Sequence, residues 1–289
     1  MRAADTAPST DMVMRKLPHI TALFWTIKMI ATTLGETGGD LLAQTLNVGY
    51  FFSTVIFFAV LLIAVAVQLR GRRFHPAIFW TAIALTSTAG TTLSDLMNRT
   101  GGIGYSGGAL VLSTGLVIVF VAWWRSGQTL DVENIATFRG EMLYWIAILV
   151  SNSLGTSSGD FLADSLGLGF VPSVVVLSTA LLALLALHYR TRVNGMLLFW
   201  IAFVLTRPLG ANLGNVLTKE HGRGGLGWGT TWTSAALLAA LIGLVAYETI
   251  QLRRQPLGFL PAPLHRRTGE RQRPNGALVS VRSQTTSVE

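Results

Sequence analysis

Four short polar segments recur in an otherwise apolar chain, and each ends in a carboxylate or an amide. They begin at residues 32, 87, 152 and 207 and end at Asp40, Asp95, Asp160 and Asn215. A hydroxyl or amide side chain lies three residues before each end, at Thr37, Thr92, Ser157 and Asn212. Oxygen ligands of this kind suit hard cations such as Mg²⁺ and Mn²⁺, and the chain has no cysteine to supply a thiolate. The segments therefore predict a site for a small cation, with the candidate metal ligands Glu36, Asp40, Asp95 and Asp160.

Polar side chains also recur at helical spacing through each segment. Lys28, Thr32, Glu36 and Asp40 are each four residues apart, so they share one face of a helix. The equivalent face holds Ser87, Thr91 and Asp95 in the second segment and Asn152, Thr156, Asp160 and Asp164 in the third. In the fourth segment it holds Arg207 and Asn215, with Ala211 between them. A charge at the centre of a bilayer costs about 2.5–3.5 kcal/mol, so these side chains are predicted to face inward. Lys28 is predicted to pair with Glu36, either across two turns or through a neighbouring helix. The candidate solute-binding residues are Lys28, Thr32, Glu36, Thr37, Asp40, Thr92, Asp95, Asn152, Ser157, Asp160, Arg207, Asn212 and Asn215.

Two structural explanations of the same segments stand beside ligand binding. Asp and Asn after a glycine or serine are good N-caps, so the last residue of each segment is also typical of a break between two helices. Small residues four apart allow close helix packing in membranes, and each segment has such a pair: Gly35 and Gly39, Gly90 and Ser94, Gly155 and Gly159, Gly210 and Gly214. Lys28, Glu36 and Arg207 have no equivalents in the other segments, and we expect function to depend on these three departures.

The segments belong to a longer internal repeat. Trp25, Trp80, Trp145 and Trp200 each follow an aromatic residue and precede a segment glycine by ten residues. The offsets between copies are 55, 65 and 55 residues, which indicates a helical hairpin duplicated twice. The second helix of each copy is predicted to begin at Gly49, Gly104, Gly169 or Gly227. We expect the odd helices to form an inner ring, the even helices to face lipid, and the four Trp residues to form an aromatic belt at the membrane interface.

Composition places the chain in a membrane. Apolar residues make up 51% of its 289 residues and charged residues only 12%, whereas a soluble domain has about 25% charged residues. Stretches long enough to cross a bilayer are predicted near residues 19–44, 50–69, 76–98, 106–124, 141–165, 170–189, 195–218 and 229–251. The predicted fold class is all-α integral membrane, with eight transmembrane helices as four parallel two-helix repeats (about 19–69, 74–124, 139–189 and 194–252).

The basic residues predict the orientation of these spans. Seventeen Lys and Arg residues fall on the side that holds both termini and three on the other, so both termini are predicted to be cytoplasmic. Residues 1–18 are predicted to form a cytoplasmic segment, residues 19–252 the membrane domain, and residues 253–289 a disordered basic cytoplasmic tail. This distribution accounts for the net charge of +8 without a nucleic-acid partner. The expected partners are the lipid bilayer and a small ion or solute.

The motifs resemble those of a widespread bacterial family of uncharacterised multi-spanning proteins, often labelled "membrane-anchored". The resemblance covers roughly residues 16–250. It rests on Leu17-Pro18-His19-Ile20-Thr21, Phe24-Trp25, Lys28, Thr32-Thr33, Gly35-Glu36-Thr37, Asp40, Tyr144-Trp145, Gly155-Thr156, Gly159-Asp160 and Thr206-Arg207-Pro208-Leu209-Gly210-Ala211. The resemblance implies the fold and the inner-membrane location, and it supplies no function. Members often have Asp where this chain has Asn215, which weakens any mechanism that needs four carboxylates.

Three functions follow from these patterns. The first is a transporter or channel for a small hydrophilic solute, most readily a cation: a hard divalent metal as substrate, or a proton-coupled solute, with no cofactor. The second is a scaffold or sensor without flux, in which the polar segments only pack and cap helices. An intramembrane enzyme with an aspartyl pair ranks third, because its carboxylates have no Tyr-Asp or Gly-x-Gly-Asp context and the chain has no His-Glu-x-x-His motif. We therefore expect the protein not to be an enzyme.

Overall fold

The computed structural model describes residues 17–71, 74–135, 137–191 and 193–254. Almost all of the predicted N-terminal segment and of the basic tail lies outside these residues. Within them the chain is all helical, without a strand. The eight long helices are α1 (Ala22–Asp40), α2 (Tyr50–Arg70), α3 (Pro76–Asp95), α4 (Gly104–Arg125), α5 (Phe138–Asp160), α6 (Phe170–Arg190), α7 (Gly195–Thr218) and α8 (Thr230–Arg254).

Five of these eight described helices are long and apolar enough to cross a membrane. They are α2, α4, α6, α7 and α8. The large apolar side chains of the even helices are mostly exposed, for example Phe52, Leu62 and Ile242. The other three, α1, α3 and α5, are interrupted by the polar segments, whose side chains are almost all buried inside the protein. The chain is therefore built like a membrane protein, with apolar helices outside and polar residues within.

The four odd helices form a closed ring. They pack in the order α1, α3, α5, α7, and α7 packs back against α1. This arrangement confirms the expected inner ring. The ring is lined with one carboxylate-bearing or amide-bearing segment from each repeat, so its centre is the place where the polar residues meet.

Each even helix packs mainly against the odd helix of the following repeat. Thus α2 packs on α3, α4 on α5, and α6 on α7. The last helix, α8, reaches the first, because Ser234 Oγ lies 2.9 Å from Thr37 Oγ1 and Thr230 Oγ1 lies 2.6 Å from Thr45 Oγ1. The sequence predicted a helical hairpin in each repeat. In the structure, the even helix of each of the first three repeats packs on the odd helix of the next repeat, and α8 of the last repeat contacts α1 of the first.

Small residues bring the ring helices into backbone contact, as their spacing predicted. Gly35 faces Ser87, Gly90 faces Asn152 and Ser153, Gly155 faces Arg207, and Gly210 faces Thr32. Each glycine therefore contacts the next helix around the ring. A Cβ added at Gly90 would lie 2.9 Å from the backbone nitrogen of Ser153, far inside ordinary van der Waals contact. The axis of the ring is thus closely packed.

The aromatic residues at the start of each odd helix form a second closed ring. Each aromatic residue that precedes a Trp contacts the Trp of the next repeat, with ring centroids 5.4 Å (Phe24–Trp80), 5.9 Å (Phe79–Trp145), 6.2 Å (Tyr144–Trp200) and 5.7 Å (Phe199–Trp25) apart. Trp80, Trp145 and Trp200 are buried and Trp25 is half-buried. The predicted interfacial belt is therefore wrong, because these side chains pack between the helices instead of facing lipid.

Two other predictions change at the far ends of the odd helices. A π-helical turn continues α1, α3 and α5 beyond the acidic residue, over Leu41–Thr45, Leu96–Thr100 and Phe161–Ser165. The second helix of the fourth repeat begins at Thr230 after Gly229, not at Gly227. Gly229 has φ +74°, like Gly49 at +80° and Gly169 at +78°. Glycine alone adopts this backbone readily, so Gly229 is the fourth equivalent position.

Candidate functional site

Glu36 lies where the four odd helices meet. Its Oε2 accepts hydrogen bonds from Thr91 Oγ1 at 3.1 Å and Thr156 Oγ1 at 3.3 Å, and it lies 3.5 Å from Nη1 of Arg207. One carboxylate oxygen on α1 is therefore in contact with α3, α5 and α7. Thr91 and Thr156 occupy the same repeat position as Glu36, and the fourth equivalent is Ala211. The three polar members of one repeat position thus meet on the axis of the ring.

Arg207 supplies the polar group that Ala211 lacks. Its fully buried guanidinium comes from one turn earlier on α7. Nη1 donates to the carbonyl of Thr32 at 3.3 Å, and Nη2 donates to the carbonyl of Ser87 at 3.1 Å and to Thr156 Oγ1 at 2.9 Å. Nη2 also donates to Thr91 Oγ1. The guanidinium is therefore held by all three other odd helices and neutralises Glu36.

Lys28 does not pair with Glu36, so that prediction is wrong. The two residues are eight apart on α1, which separates them by about 12 Å along the helix. The ammonium of Lys28 is 1% exposed and lies 3.8 Å from the centroid of the Phe203 ring. Among the described residues no carboxylate lies within 4.0 Å of it. This charge is stabilised by a cation–π contact, the interaction expected for a cation on an aromatic face.

The three terminal carboxylates bind basic side chains from one turn further along. Asp40 Oδ2 accepts from Lys219 Nζ at 2.8 Å, and Gln44 also donates to Asp40. Arg99 Nε donates to Asp95 Oδ1 at 3.1 Å, and its Nη2 lies 3.8 Å from Asp160 Oδ2. The carboxylates are almost fully buried, whereas the side chains of Arg99 and Lys219 are 38% and 17% exposed. These ion pairs therefore cover the carboxylates at the end of the ring where the odd helices end.

Two other expectations for the carboxylates meet different geometry. None of Asp40, Asp95 and Asp160 makes a side-chain capping bond in the described structure, since the backbone remains helical through each of them. Within the described residues, no group of three or more acidic or histidine side chains could hold a metal ion. Glu36, Asp40, Asp95 and Asp160 each lie within 4.0 Å of a basic side chain.

The remaining candidate residues lie away from the axis, and some of them link neighbouring helices. Asn152 Nδ2 donates to Thr86 Oγ1 at 3.0 Å, and Ser157 Oγ lies 2.7 Å from Ser94 Oγ. Thr37 bonds Ser234, as described above. Thr92 and Asn212 hydrogen-bond within their own helices, to Thr88 and Ala89 carbonyls and to the Pro208 carbonyl, and Asn215 is buried. Of the residues predicted from the sequence, Glu36, Arg207 and the Thr32 carbonyl meet at the centre. The predicted set therefore divides into an axial group and a packing group.

Sequence reasoning omitted four residues that the structure places in the site. Thr91 and Thr156 belong to the polar faces but were not chosen, although they share the repeat position of Glu36. Arg99 and Lys219 lie one residue beyond the predicted spans 76–98 and 195–218. Each follows its Asp or Asn by four residues, and that spacing on a helix was the available signal.

One family of repeats matches most of this chain. The match is to "Repeat of Unknown Function (DUF347)", at residues 23–74, 78–129, 143–194 and 198–253. No curated protein and no solved structure matches the chain. Each matched segment covers most of one odd helix, its polar segment and most or all of the following even helix. The chain therefore belongs to the DUF347 repeat family, an uncharacterised family, and carries four copies of the repeat.

Proposed function

We propose that this protein is a membrane transporter that moves a small cation along the axis of its four-helix ring. The observation that carries the proposal is the position of Glu36, whose carboxylate oxygen contacts side chains of α3, α5 and α7. A carboxylate deep in a bilayer is costly to bury and usually marks an ion or proton pathway. Repeat-built transporters place their sites in this way, at the meeting point of equivalent helices.

The carboxylates beyond Glu36 support a path to the nearer end of the ring. Asp40, Asp95 and Asp160 lie one turn from the level of Glu36 and are bound by Lys219 and Arg99, which are partly exposed. A cation that enters from this end exchanges with these tethered basic groups. It then meets Glu36, where it competes with the guanidinium of Arg207. The arrangement described above is the closed form of this path.

The preferred solute is a proton or a singly charged cation. A divalent ion such as Mg²⁺ or Mn²⁺ is bound by several oxygen ligands that include carboxylates, and no acidic cluster of that kind is formed by the described residues. Glu36 has two hydroxyls and one basic group around a single carboxylate. The single negative charge of Glu36 balances one positive charge, either that of Arg207 or that of a bound cation.

The proposal includes eight transmembrane spans in a bacterial inner membrane, with both termini in the cytoplasm. The buried polar residues lower the hydropathy of α1, α3 and α5, but these residues face the ring and do not contact lipid. We therefore propose that these three helices cross the membrane beside the five apolar ones. The basic residues of the short loops support this orientation.

Flux in reconstituted vesicles tests the proposal. Vesicles are loaded with a pH-sensitive dye and challenged with gradients of H⁺, Na⁺, K⁺ or methylammonium, and with Mn²⁺ using an internal chelating dye. We expect flux of a singly charged probe, reduced at least about tenfold by Glu36→Gln. Glu220→Gln, which removes an exposed carboxylate in the connection between α7 and α8, is the matched control. Undiminished flux in a folded Glu36→Gln protein would exclude this mechanism.

A scaffold without flux is the second candidate, and close packing favours it. The glycines bring all four ring helices into contact, and Glu36, Asp40, Asp95 and Asp160 each lie within 4.0 Å of a basic side chain. In this case Glu36→Gln changes thermal stability, and the wild-type protein moves none of the probes. A loss of stability in Glu36→Gln is expected for both candidates, so flux measured on the same two preparations distinguishes them.

A further inference from the structure

The three carboxylates at the ends of α1, α3 and α5 do not have equivalent partners. Asp40 accepts a hydrogen bond from Lys219, and Asp95 accepts one from Arg99. Asp160 differs, because its buried Oδ2 accepts no hydrogen bond from the described residues. Arg99 Nη2 lies 3.8 Å from this oxygen, beyond hydrogen-bond distance. A buried carboxylate oxygen without a donor is costly unless it binds a cation.

The charges at this end of the ring single out the same residue. Among the described residues, two basic side chains lie within 4.0 Å of the three carboxylates, Lys219 beside Asp40 and Arg99 beside Asp95 and Asp160. The guanidinium of Arg99 makes its hydrogen bond to Asp95, at 3.1 Å. Its single positive charge therefore neutralises one carboxylate, and one negative charge remains at Asp160.

The residue one turn beyond Asp160 is acidic, unlike its equivalents in the other repeats. The residues four beyond the ends of the polar segments are Gln44, Arg99, Asp164 and Lys219. Gln44 and Arg99 each donate back to the aspartate four residues earlier, from π-helical turns equivalent to the one that carries Asp164. In the third repeat this position therefore brings a second carboxylate instead of a donor. Like charges four residues apart repel each other, so a cation bound between them is favoured.

These two carboxylates continue a polar face of α5 that leads to the axis of the ring. Thr156, Asp160 and Asp164 are each four residues apart, and Thr156 Oγ1 donates to Glu36 Oε2 at 3.3 Å. Asp164 is exposed, whereas Asp160 is 2% and Thr156 0% exposed. The third repeat therefore connects the outside of the ring to Glu36 through side chains that offer oxygen atoms only.

We propose that Asp160 and Asp164 form a binding site for a singly charged metal cation such as Na⁺ or K⁺. The role of this site on the way to Glu36 rests on the proposed function, but cation binding does not. A divalent ion requires several oxygen ligands and is repelled more strongly by the adjacent Arg99. Binding requires no movement of a helix. Arg99 is 38% exposed, keeps its bond to Asp95 and loses only the 3.8 Å contact.

Thermal unfolding of the purified full-length protein in detergent tests this site. Na⁺ or K⁺ replaces N-methyl-D-glucamine at constant chloride concentration and pH, so the ionic strength does not change. A cation at about ten times its dissociation constant should raise the midpoint by about 3–6 °C, because it binds only the folded protein. Asp160→Asn should remove this rise.

Asp164→Asn provides a milder variant, because its side chain is exposed. It should raise the half-saturating cation concentration at least about threefold, through the loss of one nearby negative charge. Glu220→Gln is the matched control, since it removes another exposed carboxylate at the same end of the ring. This control should leave the half-saturating concentration unchanged.

The outcomes separate this site from Glu36. Each variant is compared with itself, with and without the cation, so a change in its basal stability does not affect the result. A midpoint that rises with neither cation would overturn the proposal, and so would a rise that survives Asp160→Asn but is lost in Glu36→Gln. If Asp160→Asn does not fold, an unchanged half-saturating concentration in Asp164→Asn overturns it. A cation-dependent rise in a protein without flux would refute the proposed transport and leave this site standing, whereas flux without the rise would do the reverse.

Discussion

Substituting Gly35 by alanine should destabilise the ring, and the structure allows the size of the effect to be stated. A Cβ at this position would overlap the side chain of Ser87 and lie 2.9 Å from its carbonyl carbon and 3.0 Å from the nitrogen of Thr88. Carbon atoms in favourable contact are about 3.5–4.0 Å apart. Since two of the atoms belong to backbone, α1 and α3 must separate. Overpacking of this kind costs about 1–3 kcal/mol.

Gly38→Ala is the matched control on the same helix. Its Cβ would have Thr88 Cγ2 as the nearest atom, at an ordinary 3.9 Å. Both variants gain the same intrinsic helix preference of alanine over glycine, about 1 kcal/mol. The difference between them therefore isolates the backbone contact.

Thermal unfolding in detergent, followed by the loss of monodisperse protein, measures this difference. At about 2–4 °C per kcal/mol for a domain of this size, Gly35→Ala should unfold about 2–12 °C below Gly38→Ala. Equal midpoints, or a higher midpoint for Gly35→Ala, would refute the argument that glycine permits the contact between α1 and α3.

Two further predictions concern the central ion pair and the topology. Either Glu36→Gln or Arg207→Met alone should cost about 3–5 kcal/mol by leaving a buried charge unpaired, while the double variant should recover most of this loss; additive losses in thermal unfolding would show that the two residues are not coupled. A fluorescent protein that folds only in the cytoplasm should be fluorescent when fused after Arg125 or Arg190 and dark when fused after Gly101. The opposite pattern would reverse the proposed orientation.

The ring could be predicted from the sequence because it follows from symmetry. Equivalent glycines at fixed spacing imply equivalent helices. Four equivalent helices that each contact the next one through small residues must form a closed ring, because an open row would leave two of them without an equivalent neighbour. The π-helical turns were not predicted. Asp after glycine is typical of helix starts, and the competing continuation depends on contacts with other repeats, such as Arg99 with Asp160.

The partners of the charged residues were harder to predict than their positions. Periodicity places Lys28 and Glu36 on one face of α1, but it does not show which face of α7 turns toward them. Glu36 pairs with Arg207 because Ala211 leaves the place of a fourth polar side chain to a longer one from the preceding turn. Lys28 meets Phe203 instead. Such contacts between distant repeats depend on the packing of the ring, which local spacing does not encode.

The packing of each even helix on the following repeat has a consequence for biogenesis. During synthesis α1 emerges first, but its partner α8 ends at Arg254. At about 5–20 residues per second, α1 waits roughly 10–40 s before its outer surface can be covered. It carries Lys28 and Glu36 during that time, and Arg207, whose guanidinium pairs with Glu36, follows Glu36 by 171 residues. The first helix of the chain is therefore the one that most needs protection by the insertion machinery. Its two charges stay unpaired until distant helices have been made, a delay that a shorter or open array of repeats would avoid.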